Sequence, residues 1–318
     1  MKKGIYISLL LIYCLFMFSY FYFQNNIEDE GSLKLFFCRE TNCSMVLTTL
    51  IENSKEVKCV FYDLDEPNII SSLDYNNVST LIFDENFEKD NLQTHSSFKS
   101  VSSKGLMHHK FCTFDGKITL TGSWNPTDRC TYYNDNLILL IFSEKIAEIY
   151  GDEFEKLATG KKHNSNYKIK LSGIPIQICF SPEGNCEALI SKTLLNANES
   201  IKFLAFTFTS NPLKDIILAK NQSENVFVEG VFEKTKITRY SAYNWFQNES
   251  LNVYLDKNSY TMHEKVFIVD DYISIIGSYN PTASANDKNE ENLLVIEDKN
   301  ISLLLNKEFQ RIKAKALE

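Results

Sequence analysis

Two stretches of this 318-residue chain carry the same polar residues at the same spacing. His108, Lys110, Asp115, Gly122, Ser123 and Asn125 in the first are matched by His263, Lys265, Asp270, Gly277, Ser278 and Asn280 in the second. A histidine and a lysine two apart on extended backbone share one face, because alternate side chains of a strand point the same way. The intervening KFCTFDGKITLTG and KVFIVDDYISIIG read as two strands joined by a tight turn. The Gly-Ser-x-Asn loop leaving the second strand then returns a hydroxyl and an amide to that face. Such a set suits a phosphodiester. Lysine, serine and asparagine donors hold non-bridging oxygens and stabilise the charge that develops in the transition state. One neutral imidazole attacks phosphorus, while a protonated one gives its proton to the leaving oxygen and then serves as base for water. The lysines supply the positive charge, so the scheme calls for no metal and no cofactor, and no carboxylate–histidine spacing of a magnesium or zinc site is evident.

A lone His-x-Lys would most often be an ordinary surface pair; two copies with six fixed residues reverse that judgement. The chain resembles the phospholipase D superfamily, whose hallmark is a duplicated HxKxxxxD motif followed by GSxN. The resemblance spans residues 33–318 and is nearest the compact bacterial nuclease and cardiolipin-hydrolase-like branch. It implies a phosphohistidine intermediate where the two halves meet, with His108 as nucleophile and His263 as acid and base. It also implies an acidic residue downstream of GSxN that orients the motif histidine. Glu291 in NEEN fits that place; the first copy departs, offering NDN with Asp135 after a one-residue shift. Asp115 and Asp270 are expected to fix the turn rather than to do chemistry.

The elements that must position these residues also occur twice. FCRETNC (37–43) matches FSPEGNC (180–186), each followed by an amphipathic helical pattern and a hydrophobic strand. NLILLIFSEKIAEIYGDEFEKL matches NLLVIEDKNISLLLNKEFQRI. The expectation is an α/β fold: two tandem phospholipase D-like α-β-α repeats with mixed sheets forming a pseudo-dimer within one chain, active as a monomer. Gly160, a helix C-cap signal, divides the repeats, giving halves 31–160 and 161–318 behind an N-terminal segment 1–30. The second half is longer between Lys234 and His263, where Arg239 and Trp245 lie, and selectivity is expected there.

Residues Gly4 to Phe23 contain no charge, follow Lys2 and Lys3, and precede an acidic stretch. Their length predicts one transmembrane helix serving as signal-anchor, with the catalytic part extracytoplasmic or luminal. The alternative is a cleaved signal peptide, but no A-x-A-like site follows. Seven cysteines lie beyond this segment, and Cys38–Cys43 and Cys179–Cys186 form the expected local disulfides of an exported domain, one thiol at least remaining unpaired. His109 is expected to point away from the site, His95 and His163 to lie in loops, and Trp124 and Tyr279 either to line the cleft or to pack. Lys161, Lys162, Lys168 and Lys170 read as a solvated basic link.

The formal charge of −8 and pI near 5.3 exclude a broadly basic surface, though not a local cationic cleft. The leading expectation is a metal-independent phosphodiesterase with nucleic acid as first substrate class. Hydrolysis of phospholipid head groups, as in a phospholipase D or cardiolipin hydrolase, is the alternative. A phosphatidyltransferase and an inactive binding protein rank below these.

Overall fold

The computed structural model describes residues 27–75, 79–85, 97–224 and 226–318. The apolar span from Gly4 to Phe23 and His95 lie outside them, so the expected transmembrane helix falls there. Among the described residues no helix is long and apolar enough to cross a membrane.

After a short strand β1 (Ile27–Asp29), one set of elements runs β2 (Ser32–Phe37), α1 (Cys43–Glu52), β3 (Val57–Phe61), α2 (Pro67–Tyr75), β4 (Ser79–Asp84), β5 (Phe98–Val101), β6 (Lys110–Phe114), β7 (Ile118–Gly122), α3 (Asp128–Tyr132), β8 (Leu137–Phe142) and α4 (Glu144–Thr159). An added strand β9 (Asn166–Leu171) precedes the second set: β10 (Ile174–Ser181), α5 (Cys186–Leu195), β11 (Ser200–Ala205), α6 (Asn211–Glu224), β12 (Phe227–Phe232), α7 (Ala242–Asn248), β13 (Asn252–Leu255), β14 (Lys265–Val269), β15 (Ile273–Gly277), α8 (Ala283–Asp287), β16 (Glu291–Glu297) and α9 (Lys299–Leu317).

The sheets repeat one topology. Strand order is β2-β8-β7-β6-β3-β4-β5 in the first, and β10-β16-β15-β14-β11-β12-β13 in the second, extended at its β10 edge by β9 and β1. Both are mixed: the strands from β2 to β3 are antiparallel and β3-β4-β5 parallel, and the second sheet does the same. Residues 27–29, which the sequence grouped with the N-terminal segment, thus pair in parallel with β9 of the second sheet, Ile27 opposite Ile169.

Local chemistry explains the boundaries. Asn42, Ser143 and Asp298 cap α1, α4 and α9 by accepting the N–H groups of Met45, Ile146 and Ile301, and Gly160 ends α4 at φ 76°. The central strands β6 and β14 are buried along their whole length, since helices cover both faces, which is why they read as continuous apolar runs rather than alternating ones. One core lies between the sheets and contains the apolar stripes of α4 (Ile146, Ile149, Phe154) and α9 (Leu305, Phe309, Ile312). Two further cores pack α1 and α2 on the outer face of the first sheet and α5, α6 and α7 on that of the second. Disulfides join Cys38 to Cys43, Cys179 to Cys186, and Cys59 to Cys112 across the β3–β6 pair. Cys130 is the free, buried thiol among the described residues.

Candidate active site

In each sheet the HxK strand begins and the Gly-Ser-x-Asn strand ends at the same edge of the layer. Lys110 opens β6 beside Phe61, the last residue of β3, while Gly122 closes β7 beside Ile138. Lys265 opens β14 beside Ala205, and Gly277 closes β15 beside Leu293. At Gly122 and Gly277, with φ 148° and 151°, a Cβ would stand 2.3 Å from the Leu137 carbonyl oxygen and 2.2 Å from that of Asn292. No other residue fits. Ser123 and Ser278 then lock the loop, each Oγ accepting the N–H of the following strand, from Leu137 at 3.1 Å and Asn292 at 3.0 Å.

The turn aspartates sit at the opposite end of the hairpins. Asp115 accepts the N–H groups of Lys55 and Glu56, and Asp270 those of Asn198, Glu199 and Ser200. Both adopt positive φ, 51° and 53°. They tie the hairpin to the strand beside it, the structural part expected of them.

Short parallel bridges stitch the halves together directly behind the motifs, Met107 beside Glu290 and Asp135 beside Met262. The His108 N–H donates to the Glu290 carbonyl and the His263 N–H to that of Asp135, both at 2.9 Å. The imidazoles are consequently held in trans. His108 Nδ1 lies 2.7 Å from Glu291 Oε2, and His263 Nδ1 lies 2.8 Å from Asn136 Oδ1. Asn136 Nδ2 donates to the Cys130 carbonyl, which turns its Oδ1 toward His263 and toward the Ser123 hydroxyl. An acceptor at Nδ1 fixes the proton there, so Nε2 of each neutral ring is left as the reactive nitrogen.

The lysines repeat one arrangement. Lys110 Nζ donates to the His108 carbonyl and Lys265 Nζ to that of His263, each at 2.6 Å. Tyr62 meets His108 edge-on and lies under Lys110; Phe206 does the same for His263 and Lys265. All four motif side chains are buried. Burial, and then the charges of Lys110 and Lys265, hold both imidazoles well below their usual range, while backbone hydrogen bonds with Ser278 for His108 and Ser123 for His263 partly oppose this. The His263 proton also feels His108, which places both rings in one electrostatic neighbourhood. Burial lowers Lys110 to about 8, and burial with the Lys110 charge holds Lys265 well below its usual range. Burial pushes Glu291 up to about 7 against the pull of Lys110, Ser278 and Asn289. Asn125 and Asn280 each bury an amide oxygen with no hydrogen-bond partner.

His108, Lys110, Ser123, His263, Lys265, Ser278 and Glu291 therefore meet at the seam between the sheets, with Asn125 and Asn280 two residues beyond the serines. The Asp135 carboxylate does not take part: it accepts from Asn258 and Arg311, both at 2.6 Å, and faces away from His263. Asn136 holds the place instead. The signal was available, because Asn136 stands 155 residues before Glu291, the spacing that separates His108 from His263.

The layer behind the site is also paired. Lys156 of α4 reaches Glu153 and crosses to Glu290 of the other half at 2.8 Å, as Arg311 of α9 holds Glu308 and crosses to Asp135. His109, odd in the alternation, does point away; it meets Glu153 at 3.0 Å, which His163 also contacts at 2.6 Å. His109, Glu153 and Glu290 are grouped closely enough to hold a metal ion. The Lys156 ammonium, 3.1 Å from Glu153 and 2.8 Å from Glu290, already neutralises that group. Trp124 and Tyr279 are packing residues, 1% and 2% exposed, and Trp124 donates to Thr131.

The sequence pattern of a family described as cardiolipin synthase, phospholipase D-like domain, matches residues 48–158 and 190–313. The chain belongs to this phospholipase D-like family. The protein named phospholipase D from Rickettsia conorii is 30% identical over 150 residues, 46% of this chain and 74% of that protein. Mitochondrial cardiolipin hydrolase of Xenopus laevis is 28% identical over 142 residues, 43% of this chain and 67% of that one. The crystal structure of phosphatidylserine synthase from Haemophilus influenzae superposes with a TM-score of 0.70 at 15% identity, covering 89% of this chain and 86% of that one, which establishes the shared fold.

Proposed function

We propose that the chain is a phosphodiester hydrolase working through a covalent phosphohistidine on His108. The observation that carries this is the unequal support of two imidazoles that share one site: a carboxylate behind His108, an amide behind His263. A phosphorylated imidazole that keeps its Nδ1 proton is cationic, and Glu291 stabilises that charge. His263, backed only by a neutral amide, gives up a proton more readily, as the acid at the leaving oxygen must. Attack of His108 Nε2 on phosphorus breaks the bond to the leaving oxygen, which takes the Nε2 proton of His263, a ring that the negative charge of the bound diester keeps cationic against its burial. Neutral His263 then draws a proton from water, whose oxygen displaces His108 from phosphorus. Lys110 and Lys265 neutralise the non-bridging oxygens in both steps, and the Asn125 and Asn280 amide N–H groups donate to them.

Of nucleic acid and phospholipid, the likeness to proteins named phospholipase D and cardiolipin hydrolase supports the phospholipid head group, as does an acidic chain. Three disulfides, and the charge-free span 4–23, support a membrane-anchored protein with its catalytic part in an oxidising, extracytoplasmic or luminal space. Bis(4-nitrophenyl) phosphate tests the chemistry, because its leaving group departs without a proton. His263→Asn should release one nitrophenolate per chain and then stall, with acid-labile phosphate on the protein, and His108→Asn should release none. A stoichiometric burst from His108→Asn instead would reverse the assignment.

A further inference from the structure

The first described strand, β1, has its N-terminal end toward the catalytic end of the second sheet. β10 ends at Ser181 opposite Glu291, the residue that holds His108, and Asn166 at the start of β9 pairs with Cys179 of that strand. β9 thus begins at the catalytic end and runs away from it. β1 runs parallel to it, so its first residue, Ile27, is its end nearer the catalytic side. Phe23, the last residue of the apolar span, stands four residues before Ile27 in the sequence.

The same end carries most of the exposed aromatic side chains. Tyr132 and Tyr133 precede β8, Tyr260 precedes His263, and Tyr240 and Trp245 lie in the connection leaving β12, whose last residue Phe232 pairs with Ala205 beside Lys265. These are five of the seven large aromatics exposed among the described residues. Cations accompany them: Arg239 over Tyr240, Lys214 over Trp245 at 4.2 Å though also 3.3 Å from Asp215, and Lys236 over Phe206, the ring against His263. The segment 234–248 has three cations and no carboxylate in a chain of formal charge −8. Tyrosine and tryptophan, apolar with one polar atom, settle at the head-group level of a bilayer, and lysine and arginine beside them favour anionic lipid.

We infer that this aromatic and cationic rim rests on the surface of the membrane that residues 4–23 enter, so that the cleft between His108 and His263 opens toward lipid head groups. The inference rests on the phospholipid reading above and adds the surface by which the enzyme meets its substrate. Trp245 and buried Trp124 are the two tryptophans, so emission reports the rim directly. The full chain is reconstituted in vesicles of phosphatidylcholine and cardiolipin, with or without brominated acyl chains. Bromine should quench a share of the emission that Trp245→Phe abolishes. In Tyr240→Ala/Trp245→Ala the ratio of vesicle-lipid to soluble-diester hydrolysis should fall about tenfold. Emission indifferent to bromine would overturn the inference, as would a Trp245 response to single-stranded oligonucleotide in place of lipid. Failure of the wild-type chain to cleave the soluble diester would strike the catalytic reading, leaving the orientation to be decided by quenching alone.

Discussion

Replacing Glu291 with glutamine isolates charge from placement. Asn136 shows that an amide suffices to hold a motif histidine, since its Oδ1 lies as close to His263 Nδ1 as the carboxylate lies to His108. A buried hydrogen bond to a charged partner is worth about 1.5–3 kcal/mol, so kcat/KM of Glu291→Gln should fall about 10- to 150-fold. Folding should suffer little by comparison. The new amide nitrogen meets Asn289 Nδ2, whose own orientation is fixed by the Leu106 N–H on its oxygen, a mismatch worth about 1–2 kcal/mol. The pH profile separates the two effects. The Glu291 carboxyl, pushed up to about 7, must be ionised to support a cationic ring, so kcat/KM falls as pH drops through that value. Lys110, lowered to about 8, and Lys265, held well below its usual range, must both be charged, so kcat/KM falls again as rising pH strips their protons. Wild type should give a narrow bell on a soluble diester. In Glu291→Gln the acid limb should vanish and the alkaline limb stay. Full activity in that variant, or an acid limb that survives it unchanged, would refute the role given to Glu291.

Gly277→Ala drives a methyl against the Asn292 carbonyl oxygen at a φ that alanine avoids; calorimetry should show a loss of about 2–3 kcal/mol, with activity falling because Ser278 is displaced. Glu264 is buried with both oxygens unpartnered, and burial with the Glu308 and Asp135 charges raises it well above the usual carboxylate range. Below its unfolded pKa it is protonated in both states and costs nothing. Above that, the folded chain keeps a proton the unfolded chain has lost, so stability declines as pH rises, by about 1.4 kcal/mol per unit. Glu264→Gln should remove that slope in denaturant titrations across the acid-to-neutral range. The Cys59→Ala/Cys112→Ala pair opens a bridge between residues 53 apart and should lower unfolding free energy by about 4 kcal/mol on the chain-entropy estimate, with the other two disulfides intact.

What could be read from the sequence was whatever repeats or lies close along the chain. The HxK and Gly-Ser-x-Asn strands and their tight turn followed from two apolar runs meeting at Asp-Gly and Asp-Asp, and the shared face of His and Lys from the two-residue repeat of a strand. Cys38–Cys43 and Cys179–Cys186 followed from short separation. The Cys59–Cys112 bridge did not, because it needs the knowledge that β3 lies beside β6. The exchange of partners between halves was hidden for the same reason: sequence shows that Glu291 follows its own motif, whereas the bridges at Met107 and Met262 carry it to the other histidine. Asp135 misled because chemical type was preferred over register; the constant spacing pointed to Asn136. Trp124 and Tyr279 stand at a variable place, and only packing against neighbouring elements tells a buried ring from one that lines a cleft.

The crossing of orienting residues between the halves makes each of them a fragment rather than a small enzyme. A piece ending after α4 would keep His108 without its carboxylate, and the remaining piece would keep His263 without its amide. Identical copies would offer both imidazoles the same neighbour. In this chain the neighbours differ, a carboxylate at one ring and an amide at the other, so the two sides of the cleft are unlike before any substrate enters.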